Sequence, residues 1–197
     1  MSSAGCQIAA LVSVYFMRRF QQLPGSVLNC GIGRTSPEMA IWQWLLPGVP
    51  VIGIDPRYSP RGHWRHVYHG RQIQAALGDG STKSATYCGQ CKSMLPCSDE
   101  THLVHMSAVQ VITLDEVSAN LPAPHFIWMD IDGSEPAALR GATETLKRTS
   151  WVNIEIHDKA YGQQHADEIG QLLRKAGFRL HYVQQDVLDR LYRRRGA

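Results

Sequence analysis

No apolar run in the sequence is long enough to cross a membrane. The longest near the N-terminus, Ile8 to Phe16, is broken by Ser13 and reaches about half the length a bilayer-spanning helix needs. The first charge, Arg18, follows that run instead of preceding it, the reverse of a signal peptide. Both absences point to a cytoplasmic protein. A surplus of one charge is also missing: 20 Lys and Arg stand against 17 Asp and Glu, a net charge of +3 over 197 residues. A nucleic-acid binder carries a larger and more focused basic excess. Five cysteines (Cys6, Cys30, Cys88, Cys91, Cys97) are an odd number in a chain long enough to build a core without staples, so no disulfide framework is expected. Internal repeats and low-complexity segments are absent. With 44% apolar and 19% charged residues the chain reads as one folded domain.

Apolar runs and breakers set the order of elements. Ser26 to Cys30 and Val49 to Ile54 read as strands around a helix from Met39 to Leu46, which Ser36 caps, Pro37 opens and Pro47-Gly48 ends. This βαβ unit belongs in a parallel sheet. A strand near Gln72 to Leu77 is expected, then loop from Gly78 to Glu100, a strand at Val109 to Ile112 and a helical turn at Thr113 to Val117. Further on, His125 to Ile131 and Trp151 to Ile156 read as buried strands, Glu135 to Leu146 and His165 to Ala176 as helices, with Gly177 as the left-handed cap. Phe178 to Val183 and Val187 to Tyr192 close the chain as an antiparallel hairpin.

Two constellations carry chemistry. In Asn29-Cys30-Gly31-Ile32-Gly33 the glycines sit where a strand hands over to a helix, letting a ligand approach the helix N-terminus. Asp55 ends the next strand 22 residues beyond Gly33, where an acid accepts both hydroxyls of a ribose; a tight turn and a turn-starting Asp before Pro56 are the plain alternatives. The third glycine of a dinucleotide fingerprint is replaced by Ser36, and no GK[ST] supplies a P-loop. An adenosine ligand without phosphates remains, and S-adenosylmethionine is one. The second constellation is Asp130-Ile131-Asp132, with Glu155 and His157 ending the neighbouring strand. Strand alternation puts each pair on one face, so three acids and an imidazole converge at one mouth. Side-by-side carboxylates repel unless a cation, a proton or a donor lies between them, although Asp132 can also serve as a helix cap.

These motifs resemble, in order, those of the FkbM family of S-adenosylmethionine-dependent methyltransferases: Val27 to Gly33, Ile54-Asp55-Pro56, Thr113 to Glu116, Asp130 to Glu135 with Leu139 to Ala142, and Ile154 to His157. The resemblance runs from about Ser26 to Phe178. It implies an α/β, Rossmann-like class I methyltransferase fold, a mostly parallel seven-stranded sheet with a C-terminal antiparallel hairpin. The length of the chain fits a single domain over residues 1–197, read as an N-terminal helix at about 5–22, a cofactor-binding half at about 26–106 and an acceptor and catalytic half at about 107–197. By motif, Gly31 and Gly33 pass the methionine part of the cofactor and Asp55 holds its ribose, with Asn29, Pro56, Ala75 and Ala76 completing the contacts. The family's acid in the first motif is Asn29 here, its lysine before the acid block is Met129, and the stretch from Asp55 to Ala75 is short.

The implied reaction is O-methylation of a hydroxyl on a sugar, a glycan or a glycosylated small molecule. Asp130, Asp132 and His157 are the catalytic candidates, Asp132 taking the proton. Asp130, Glu155 and His157 are candidate ligands of Mg²⁺ or Mn²⁺, since oxygen ligands suit such hard ions. The expected partner is the hydroxyl acceptor, with no nucleic acid; a homodimer stays open. Rival readings are a methyltransferase acting on protein or RNA and a non-catalytic cofactor-binding or zinc-stabilised interaction module. Cys88, Cys91 and Cys97, with His102 and His105, hold the elements of a zinc site, but their spacing matches no common pair of knuckles and free thiols are the first reading. His63, His66 and His69 line one face of a short helix, as a lid or as a polar surface. Trp42 and Trp44, two apart on a helix, face different ways, one to the core and one outward. Arg193 to Arg195 read as a solvated tail.

Overall fold

The computed structural model describes residues 3–33, 37–57, 70–90, 94, 106–184 and 189–196. In chain order the elements are α1 (Ser3–Arg19), β1 (Ser26–Cys30), α2 (Pro37–Leu45), β2 (Val51–Ile54), β3 (Arg71–Ile73), β4 (Ala76–Leu77), β5 (Ser84–Cys88) and β6 (Met106–Ile112). There follow α3 (Leu114–Ser118), β7 (His125–Met129), α4 (Glu135–Arg140), α5 (Thr143–Lys147), β8 (Thr149–Glu155), α6 (Asp158–Tyr161), α7 (Gln163–Lys175), β9 (Phe178–Gln184) and β10 (Asp189–Arg194).

Seven strands make one sheet in the order β3-β2-β1-β7-β8-β10-β9. Strands β3, β2, β1, β7 and β8 run parallel, and β10 is antiparallel to both β8 and β9. The expected sheet and its closing hairpin are therefore present. Side-chain alternation divides the core into two layers. Val27, Phe126, Trp128, Trp151 and Leu191 face α1 and α2, packing with Met17, Met39 and Trp42. Leu28, Ile127, Met129, Val152, Ile154 and Tyr192 face the other way, packing with Leu114, Leu139, Ile169 and Leu173. Each fully buried large apolar side chain contributes about 1.5–3 kcal/mol, and both faces of the sheet are covered, as a parallel sheet requires. Trp42 is buried and Trp44 is 76% exposed, the opposed facing that their spacing predicts. No helix among the described residues is long and apolar enough to cross a membrane.

Four local expectations are corrected. The loop expected from Gly78 to Glu100 contains β5, which pairs antiparallel with β6 in a second sheet ordered β4-β6-β5. The single strand expected at Gln72 to Leu77 is two, β3 in the main sheet and β4 beside β6. The helix expected from Glu135 to Leu146 breaks at Gly141, whose backbone packs so tightly on the turn at Gly78 that a Cβ would lie 2.1 Å from the Gly78 carbonyl oxygen. Finally, the arginines at the end are not all solvated. The Arg193 guanidinium stacks 3.8 Å over the Phe20 ring and donates to Gln22 Oε1 at 3.1 Å. Arg194 donates to the carbonyls of Thr149 and Leu146. Helix α1 ends at Arg19, before Gln21 with its φ of 54°.

Candidate active site

The carboxyl ends of β1, β2, β7 and β8 lie side by side, where a parallel sheet opens onto its ligand crevice. An open cleft lies there. Its walls are Gly31 after β1, Ile54 to Arg57 after β2, Ala75 to Leu77 around β4, Tyr87 on β5, Met94, and Asp130, Ile131, Asp132 and Ser134 after β7.

The loop after β1 is glycine-dependent for a steric reason. Gly31 has φ 92°, and a Cβ there would stand 1.7 Å from the Asp130 carbonyl oxygen. Only glycine lets the loops after β1 and β7 cross so closely. Asp55, 2% exposed, ties the next loop down: its Oδ2 accepts the Gly33 N–H at 2.7 Å and its Oδ1 the Arg57 N–H at 2.6 Å. The Arg57 guanidinium follows it at 3.4 Å. Tyr87 is 5% exposed, and burial pushes its hydroxyl up to about 12, so the O–H is a donor at neutral pH.

Next to the cleft, Asp130, Glu155 and His157 bring ligand atoms within 4.8 Å of one another. His157 Nε2 lies 3.3 Å from Glu155 Oε1 and 4.0 Å from Asp130 Oδ1. Burial, then the neighbouring Asp130 and the charge of Asp189, raise the Glu155 carboxyl far above the usual range. The interaction with Asp130 raises His157 against the opposing effect of burial. Glu155 Oε2 is buried and meets no hydrogen-bond partner among the described residues. Asp132 sits in the left-handed region at φ 49°, and burial followed by the Asp130 charge lifts its carboxyl to about 6.

Strand alternation is not what brings the acids together. Strand β7 ends at Met129, and Asp130 and Asp132 reach one cleft through the turn that follows. Helix α4 takes Ser134 as its N-cap, with no side-chain capping bond. Of the expected cofactor contacts, Gly31, Asp55, Pro56, Ala75 and Ala76 line the cleft. Gly33 touches it only through Asp55, and Asn29, 1% exposed within β1, does not line it. Cys88 is buried at the end of β5. Cys91, Cys97, His102 and His105, like His63, His66, His69 and the capping Ser36, lie outside the described residues. Tyr87, Arg57 and Met94 are cleft residues that sequence reasoning missed; for Tyr87 the signal was Thr86-Tyr87-Cys88, a β-favouring run after a turn cluster.

Among solved structures the chain resembles the plantazolicin methyltransferase BpumL, in complex with a monoazolic desmethylPZN analog and SAH, at 14% identity over 98% of this chain and 85% of that one, with a TM-score of 0.50. Magnesium protoporphyrin IX methyltransferase (ChlM) from Synechocystis PCC 6803 with bound SAM matches at 15% identity over 97% of this chain and 80% of that one, with a TM-score of 0.49. No curated protein matches the chain by sequence. The strand order is that of a class I methyltransferase. A model of the methyltransferase FkbM domain matches residues 18–180, and the chain belongs to that methyltransferase family.

Proposed function

We propose that the protein transfers a methyl group from S-adenosylmethionine to a hydroxyl of a sugar, a glycan or a glycosylated small molecule. The observation that carries this reading is the cleft that Gly31, Asp55 and Ala75 to Leu77 line together with Asp130 and Asp132. Asp55 suits the ribose hydroxyls: Oδ2 keeps acceptor capacity beyond the Gly33 N–H, and Oδ1 gains it where the 3.4 Å contact from Arg57 Nε gives way. Ile54, Ala75 and Leu77 offer an apolar wall to the adenine. Methyl transfer from a sulfonium is an in-line displacement: the acceptor oxygen forms the C–O bond as the C–S bond breaks, and S-adenosylhomocysteine leaves as a neutral thioether. Positioning does most of the work. A sugar hydroxyl is a weak acid, so a base must take its proton, and Asp132 is the carboxylate placed for it.

Asp130, Glu155 and His157 fit a divalent ion, with two carboxyl groups, one imidazole and the unpartnered Glu155 Oε2. Mg²⁺ or Mn²⁺ held there would lower the acidity barrier of a bound hydroxyl. Calorimetry with S-adenosylhomocysteine, followed by a screen of sugar acceptors for methyl transfer, tests the reading. Binding and turnover lost together in Asp55→Ala support it. Cofactor binding without turnover on any acceptor would favour a non-catalytic module.

A further inference from the structure

We propose that Glu135, braced by His165, is the positioning residue that sets the turn carrying Asp132; the inference rests on the catalytic reading of Asp132 given above. Asp132 (φ 49°) and Gly133 (φ 95°) are consecutive left-handed residues, and Asp132 is not a glycine. Such a conformation is unfavourable for a residue with a Cβ and persists only where the surroundings enforce it.

The enforcing group is Glu135, 1% exposed and absent from the cleft wall. Its Oε1 accepts the N–H of Ile131 at 3.2 Å and of Gly133 at 3.3 Å, the two amides that bracket Asp132. Its Oε2 lies 3.0 Å from His165 Nε2, and since a carboxylate only accepts, the imidazole N–H donates. Glu135 thus turns back from the start of α4 to pin the preceding loop, in place of the side-chain cap that Ser134 does not provide. His165 stands in the first turn of α7, and the Tyr161 ring packs beside it at 5.2 Å and beside His157 at 6.3 Å. The α6–α7 corner therefore braces the turn through Glu135.

The test is amide hydrogen exchange, read at residues 130–134, in wild type, Glu135→Ala, Glu135→Gln and His165→Ala, with methyl-transfer kinetics on whichever sugar acceptor turns over. Glu135→Ala should raise exchange at Ile131 and Gly133 about tenfold or more while β1 and β8 stay protected, and Glu135→Gln, which keeps an acceptor oxygen, should restore protection. The kcat of Glu135→Ala should fall roughly 30-fold with KM for S-adenosylmethionine within about threefold, and His165→Ala should fall between it and wild type. Unchanged exchange in both alanine variants overturns the inference, as does raised exchange with unchanged kcat. Should Glu135→Ala not fold, His165→Ala decides on the same two readouts. Full turnover by Asp132→Asn would instead overturn the assignment of the base, and the exchange data would still judge the brace.

Discussion

Replacing Asp55 tests the cofactor end of the cleft most directly. Its buried carboxylate holds two backbone N–H groups at 2.7 and 2.6 Å, and it faces the cleft where a ribose would lie. Hydrogen bonds to a charged group contribute about 1.5–3 kcal/mol each. Loss of two ribose hydroxyl contacts, about 3 kcal/mol at the lower end, weakens binding about 100-fold or more. The same substitution strips the Gly33 and Arg57 amides of their acceptor, and a stability loss of about 2 kcal/mol lowers Tm by roughly 4–8 °C for a domain of this size. Asp55→Asn should bind nearly as poorly as Asp55→Ala, because an amide has one accepting atom and must turn its NH₂ towards one of two N–H donors. Isothermal calorimetry with S-adenosylhomocysteine, alongside thermal unfolding without ligand, reads both effects. An alanine variant that binds within threefold of wild type would refute the role of Asp55.

Acid should destabilise the fold through His125, which is buried and shares a 2.7 Å hydrogen bond with Ser26. Burial, and then the charge of Arg148, lower its imidazole from 6.5 to about 4. The unfolded chain therefore binds a proton that the folded one refuses, and stability falls as pH drops from 6.5 to about 4, by roughly 3 kcal/mol, then levels off. Urea unfolding across that range in wild type and His125→Asn checks it, and an identical slope in both would count against His125. Exhaustive chelation should abolish most methyl transfer, with Mn²⁺ restoring it in wild type but not in His157→Ala; full activity after chelation removes the metal from the proposal. Arg193→Ala should cost about 1–2 kcal/mol, read as a Tm lowered by a few degrees, because the guanidinium stacks on Phe20 and bonds Gln22; no change would return the terminal arginines to a solvated role.

The central strands β1, β2, β7 and β8 were legible because they are short, largely apolar runs between strong breakers, such as Pro47-Gly48 before β2. Strand β5 was not, since Ser84 to Thr86 are largely exposed and only pairing with β6 makes them a strand. The break at Gly141 lies in a contact with Gly78, some sixty residues earlier, which no local pattern encodes. At the site, Asp55, Asp130, Glu155 and His157 could be placed from strand ends alone. Glu135 could not: next to Pro136 at a helix start it looks like an ordinary dipole-favouring acid, and its role depends on His165 arriving from α7. Arg193 and Arg194 misled for a similar reason, their partners Phe20 and Phe178 being supplied by distant elements.

The place of β1 between β2 and β7 has a consequence for how the chain comes into being. Ser26 pairs with His125, so the central strand has no second neighbour until some hundred residues more have left the ribosome. The segment holding the glycine loop and Asp55 would emerge with one edge of its middle strand bare and with Phe126, Ile127 and Trp128 missing from both core layers. A fragment ending near residue 106 should therefore be an aggregation-prone intermediate and not a folded unit, so this domain is expected to assemble late and all at once.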